Sequence, residues 1–214
     1  THFYRLGVLD APTADEALLA DYPSLADPRA LPGPQAAFVS GYLVHLAYDE
    51  RWAEDLFLPL YWNGPDWPDR LTFAVHHNAL RVVLDRRAFD RILGTPEAVE
   101  ALRGTEPAAE PEGWLPFVAD AVLREWRDWL VAQIDAPDQV ATMTVFAERM
   151  GVRVERMAAQ VAQIEAGTYE AVPGLEAALE RYTVCAQRDA LEGLMRYWGV
   201  ERVPVGEQGL RTED

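Results

Sequence analysis

The chain has 214 residues, half of them hydrophobic, enough for one large domain or two small ones with a substantial core. Its 35 acidic residues against 19 basic ones give a formal charge of −16, which sets duplex nucleic acid aside as a partner by long-range repulsion. A single cysteine, Cys185, excludes an intramolecular disulfide and a cysteine-built metal centre, and its helical setting predicts an ordinary core thiol.

In chain order, Thr1-His2-Phe3-Tyr4 sets a histidine among aromatics. Asp10 to Thr13 reads as a turn ending in an N-cap, with a short helix from Ala14 to Tyr22. Pro23 to Pro34, rich in Pro, Asp and Gly, reads as a loop. The main helix is expected from Pro34 to Leu58, opened by a first-turn proline and stopped by Pro59. It carries Gly41, His45 and Asp49 at i, i+4 and i+8, one above another on a single face. The rest of that helix is strongly apolar, which predicts burial on most sides. A turn with Tyr61, Trp62 and Trp67 follows. These aromatics, with Trp52, read as core and rim packing before they read as the lining of a pocket.

A second long helix starts at Asp69 and runs to about Arg87, with residues 88–93 continuing it or kinking away. Gly94-Thr95-Pro96 stops one helix and starts the next. Residues 104–113 read as an exposed acidic linker. Beyond it, Phe117 to Ile134 shows Val118, Val122, Trp126, Trp129, Leu130 and Ile134 in core-like spacing. Helices over 140–150, 153–166 and 174–199 complete the set. No stretch alternates like a strand, no hairpin signal is present, and no run of about 18 apolar residues spans a membrane. The expectation is an all-α protein of about seven or eight helices in a single domain over residues 1–214. With no leader in the pattern, a cytoplasmic location is expected.

Chemistry centres on the histidines His2, His45, His76 and His77. The His45–Asp49 spacing lets both side chains reach one ion, and it equally suits a hydrogen-bonded core pair; the residues alone leave both readings open. Adjacent helical residues point about 100° apart, so one of His76 and His77 is expected in the core and the other on the surface. Should either face His45, His77 is the choice, because Asn78 beside it can orient a ring. The pairs Glu54–Asp55 and Asp135–Asp138 read as solvated. No Gly-rich phosphate loop, G-x-S-x-G element or Ser/His/Asp arrangement is present.

The element Thr1-His2-Phe3, followed by Gly41-Tyr-Leu-Val-His45-Leu-Ala-Tyr-Asp49, resembles the zinc-dependent phospholipase C family, which shares an all-α superfamily with single-strand nucleases. The stretches His77-Asn-Ala-Leu, Trp114 to Asp120 and Phe146-Ala-Glu-Arg are similar to uncharacterised bacterial members. The resemblance implies a phospholipase C/nuclease-like fold, with His2, His45 and Asp49 as three protein ligands of one zinc ion. The family's upstream P-D carboxylate is absent from these residues, and no H-x-x-x-E element supplies ligands for further metals.

What the resemblance implies is a zinc-dependent phosphoester hydrolase, in which hydroxide on zinc attacks a phosphodiester of a small molecule or lipid. The alternative is a non-catalytic helical protein of the same fold, its metal site structural or lost, acting as an interaction module. The acidic surface favours neutral or zwitterionic substrates over polyanions.

Overall fold

The computed structural model describes Phe3 and residues 11–64, 66–103, 110–135, 141–167 and 172–200. Among these residues every regular element is helical. Contacts divide the chain into two units, one from residues 1–50 and 184–214, the other from 51–183.

The first unit holds α1 (Ala14–Asp21), two short 3₁₀ turns, most of α2 (Gly33–Arg51) and the end of α8 (Leu175–Trp198). Thr13 is the expected N-cap of α1, and its amide donates to Glu16 three residues on. The amide of Ala14 donates to the Glu50 carboxylate at 3.1 Å, so the C-terminal end of α2 satisfies an orphan donor of α1. Residues 23–34 are more ordered than a loop: Pro23–Leu25 and Pro28–Ala30 each make a 3₁₀ turn and bury Leu25 and Pro28.

The end of α8 is tied into this unit by polar contacts. Arg196 meets Asp15 at 2.9 Å and the Trp198 indole donates to Ser40 Oγ at 3.0 Å. Gly193 makes room for the first contact, since a Cβ there would sit 3.1 Å from Asp15 Oδ2. The Tyr197 hydroxyl donates to the Leu25 carbonyl at 3.0 Å in a buried setting. Removing it in Tyr197→Phe leaves that carbonyl unpaired and is expected to cost about 1 kcal/mol. The check is the urea midpoint of this unit; an unchanged midpoint would mean the carbonyl finds water.

The second unit is built on α3 (Arg70–Leu93), which packs against α4 (Pro96–Arg103), α6 (Ala141–Arg149) and α7 (Val154–Glu165). Asp69 caps α3 by accepting from the Thr72 amide at 2.7 Å. The helix runs unbroken through residues 88–93 to the expected stop at Gly94. Val75, Ala79, Val82 and Val83 repeat at helical spacing and are buried. They meet Met157, Val161 and Ile164 of α7 in one core, where each such side chain contributes roughly 1.5–3 kcal/mol.

Two expectations change here. Pro59 does not end the main helix at Leu58. The chain passes from α2 into an eleven-residue π-helix, Trp52–Trp62, that contains the proline. An α-register would set the proline ring against the carbonyl of Asp55. The wider π-turn pairs each position with the fifth before it, as the Asn63 amide does with Leu58 at 2.9 Å, so its register does not call on residue 59 to donate to the Asp55 carbonyl.

The second change concerns α5, which starts at Asp120 rather than Phe117. Its carboxylate accepts from the Gly113 amide at 3.0 Å. Trp126, Trp129 and Leu130 of α5, expected in the core, are 56%, 45% and 47% exposed, while Leu123 is buried. Of the expected exposed linker, residues 104–109 lie outside the described set, and Pro111 is buried. No described helix is long and apolar enough to cross a membrane.

Candidate functional site

On α2 the buried positions are Ala36, Val39, Leu43 and Leu46, all on one side of the helix. Gly41, His45 and Asp49 occupy another side, as the i, i+4 spacing requires. That face is open rather than buried, against expectation. The His45 and Asp49 side chains are 53% and 32% exposed, and a Cβ on Gly41 would meet nothing within 4 Å. Apolar residues flank this stripe without enclosing it, because the buried stripe uses only a third of the helix circumference.

His45 Nε2 stands 3.3 Å from Asp49 Oδ2. The separation is longer than the roughly 2.7–2.9 Å of a charge-assisted hydrogen bond. It does match the edge of a tetrahedral zinc site, where two ligands about 2.0–2.1 Å from the ion stand about 3.4 Å apart. The Tyr42 ring lies beside the imidazole, centroids 5.8 Å apart. His2, the third candidate ligand, lies outside the described residues. Its neighbour Phe3 holds φ at 56°, a left-handed conformation rare for a bulky residue, and sets its ring edge-on against Tyr22 at 6.1 Å. Among the described residues no group of three His, Cys, Asp or Glu side chains gathers to hold a metal.

His76 is the expected core histidine, whereas His77, expected on the surface, is not a surface residue. His76 is 2% exposed and its Nδ1 lies 3.1 Å from the Tyr61 hydroxyl. His77 is partly buried and accepts at Nε2 from the Trp52 indole at 3.1 Å. Asn78 does not orient His77. Its amide donates to the Ala74 carbonyl at 2.8 Å and contacts the Met150 sulfur. The π-helix explains why both rings can be inside, because it delivers Trp52 to one histidine and Tyr61 to the other. Trp67 completes the enclosure, stacked on Tyr61 with the planes 4° apart. Trp62 alone of this aromatic group is strongly exposed, at 65%.

Burial governs the electrostatics of this cluster. It pushes His77 down to about 4, helped by the nearby Arg81 and His76. It lowers His76 as well and raises the Tyr61 phenol. Both imidazoles are therefore neutral and the phenol protonated at pH 7, so the cluster offers hydrogen bonds and no charge. Asp55, expected in solvent, has one carboxylate oxygen buried without a partner. The histidine pair and the Trp-rich segment 52–67 were visible in the sequence; their union was not, since Trp52 and His77 are 25 residues apart.

No protein-family model matches this chain, and neither does any curated protein or solved structure.

Proposed function

We propose that the chain is a zinc-dependent phosphoester hydrolase whose metal is held by His45 and Asp49 of α2 together with His2. The observation that carries this reading is the 3.3 Å separation of His45 Nε2 and Asp49 Oδ2 on an open helix face. Two donors at a tetrahedral edge length, with solvent access beside them, suit an ion that must also reach a substrate. The T-H-F and G-Y-x-x-H-x-x-x-D elements and their resemblance to zinc-dependent phospholipase C supply the third ligand and the reaction class. Bound there, zinc would polarise a phosphoryl oxygen and acidify a water. The chain's own part is to hold the two donors one helical turn apart, with Gly41 leaving the approach clear. The charge of −16 favours a neutral or zwitterionic phosphoester.

Metal analysis by native mass spectrometry, with a phosphodiesterase assay beside it, tests the proposal. Zinc should be present in the wild-type protein, and His45→Ala and Asp49→Ala should each weaken its binding by more than the roughly 10- to 100-fold that loss of a ligand's supporting partner costs, with loss of hydrolysis. A wild-type protein that takes up no zinc at micromolar concentration sinks it.

A non-catalytic relative of the same fold is the second reading, favoured by the exposed Trp126, Trp129 and Leu130 of α5, which suit an interaction module. It predicts zinc uptake that raises the melting temperature with no turnover of any phosphoester.

A further inference from the structure

The buried cluster of the second unit carries an inference independent of the α2 pair. Its hydrogen-bond directions can be worked out from its partners. The Tyr61 phenol is 1% exposed and has His76 Nδ1 as its hydrogen-bond partner. If the phenol donates to Nδ1, the proton of the neutral imidazole sits on Nε2. If Nδ1 instead donated to the phenol oxygen, both the phenol proton and Nε2 would lack partners. The first arrangement leaves fewer buried groups unpaired and is the favoured one. His77 is fixed in the opposite sense, its Nε2 accepting from Trp52.

This leaves the His76 Nε2–H as a buried donor with no partner, and the Trp67 indole N–H is a second. The two rings are neighbours, centroids 5.3 Å apart and tilted by 49°. Phe73 stands edge-on to Trp67 at 6.0 Å, so the donors sit in an aromatic surround. Unpaired buried donors are rare because each costs about 1–3 kcal/mol, and a pair of them calls for an acceptor from outside the chain. The π-helix that positions Tyr61 is itself a rare geometry associated with functional sites.

We propose that His76 Nε2–H and Trp67 Nε1–H form a second binding site, which takes a small neutral molecule through a carbonyl or hydroxyl oxygen. Two N–H donors require an acceptor. Neutrality follows from the surroundings: neither imidazole is charged, and Arg81, the nearby cation, is engaged over the Phe146 ring at 4.8 Å. An anion would enter a low-dielectric site without a hydrogen-bonded counter-charge, which is costly.

The experiment is a side-chain ¹⁵N NMR titration of the whole chain, labelled at His and Trp, with acetamide as the neutral probe and formate as the anionic one. Acetamide should shift the His76 Nε2 and Trp67 indole signals together, saturably and with one dissociation constant, while formate at the same concentration moves neither. Trp67→Phe keeps the ring stacked on Tyr61 but deletes the donor, and should weaken acetamide binding at least tenfold. Should that variant fail to fold, the wild-type titration decides alone. Signals unmoved by acetamide, moved instead by formate, or moved with different dissociation constants overturn the proposal. So does a His76 ring found with its proton on Nδ1.

Discussion

Lowering the pH from 7 to 4 is expected to destabilise the second unit by about 3 kcal/mol through His77 alone. In the folded chain burial holds this imidazole neutral down to about pH 4, whereas in the unfolded chain it takes a proton near 6.5. Between those values the unfolded state binds more protons than the native state, so stability falls as pH falls. Below about pH 4 the native ring takes its own proton and the loss from this group stops. His76, lowered by the same burial, adds to the loss in the same direction. Asp85 opposes it, because burial raises its carboxyl and the folded chain then holds that proton more tightly than the unfolded one. The measurement is the urea midpoint of the chain between pH 7 and 4.5. His77→Gln can still accept from the Trp52 indole through its amide oxygen, and should flatten the curve across this window. A His77→Gln midpoint that falls with pH just as the wild-type one does would show that His77 is solvated in the native state.

The contrast between α3 and the π-helix shows which physics a sequence exposes. The start of α3 and the stop at Gly94 were legible, though not the course of residues 88–93 between, because their causes are local: Asp69 caps the Thr72 amide, Gly94 closes the helix, and Thr95-Pro96 opens the next. The pairing of His45 with Asp49 was legible for the same reason, since i, i+4 neighbours meet in any helix. Its exposure was not, because hydrophobic content counts apolar residues without saying which of them another element covers. Trp126, Trp129 and Leu130 failed in the same way: their spacing marks a face, and the face is uncovered in the described structure. Pro59 failed for a different reason. A proline stops an α-helix, but a change of register lets the coil pass, and register is a matter of hydrogen bonding rather than composition. His77 lay beyond local reasoning altogether, because its partner comes from another helix.

Gly64→Ala is expected to destabilise the second unit by roughly 3 kcal/mol, lowering its melting temperature by about 10 °C. A Cβ on residue 64 would overlap the carbonyl oxygen and carbon of Leu60, both backbone atoms. A flexible side chain could swing away from such an overlap; the last turn of a π-helix cannot. Relief requires moving Leu60 and with it Tyr61, which is 1% exposed and hydrogen-bonded to His76. The variant should therefore disturb the buried cluster as well as stability, visible as a change in the near-ultraviolet circular dichroism of the stacked Tyr61 and Trp67. Gly41→Ala is the matched control, a helical glycine whose Cβ would meet nothing within 4 Å. There the substitution should raise stability by about 0.5–1 kcal/mol, since alanine loses less backbone freedom on entering a helix. Equal melting temperatures for wild type and Gly64→Ala would mean that the turn after Trp62 is loose enough to absorb a methyl group, and that the π-register does not depend on it.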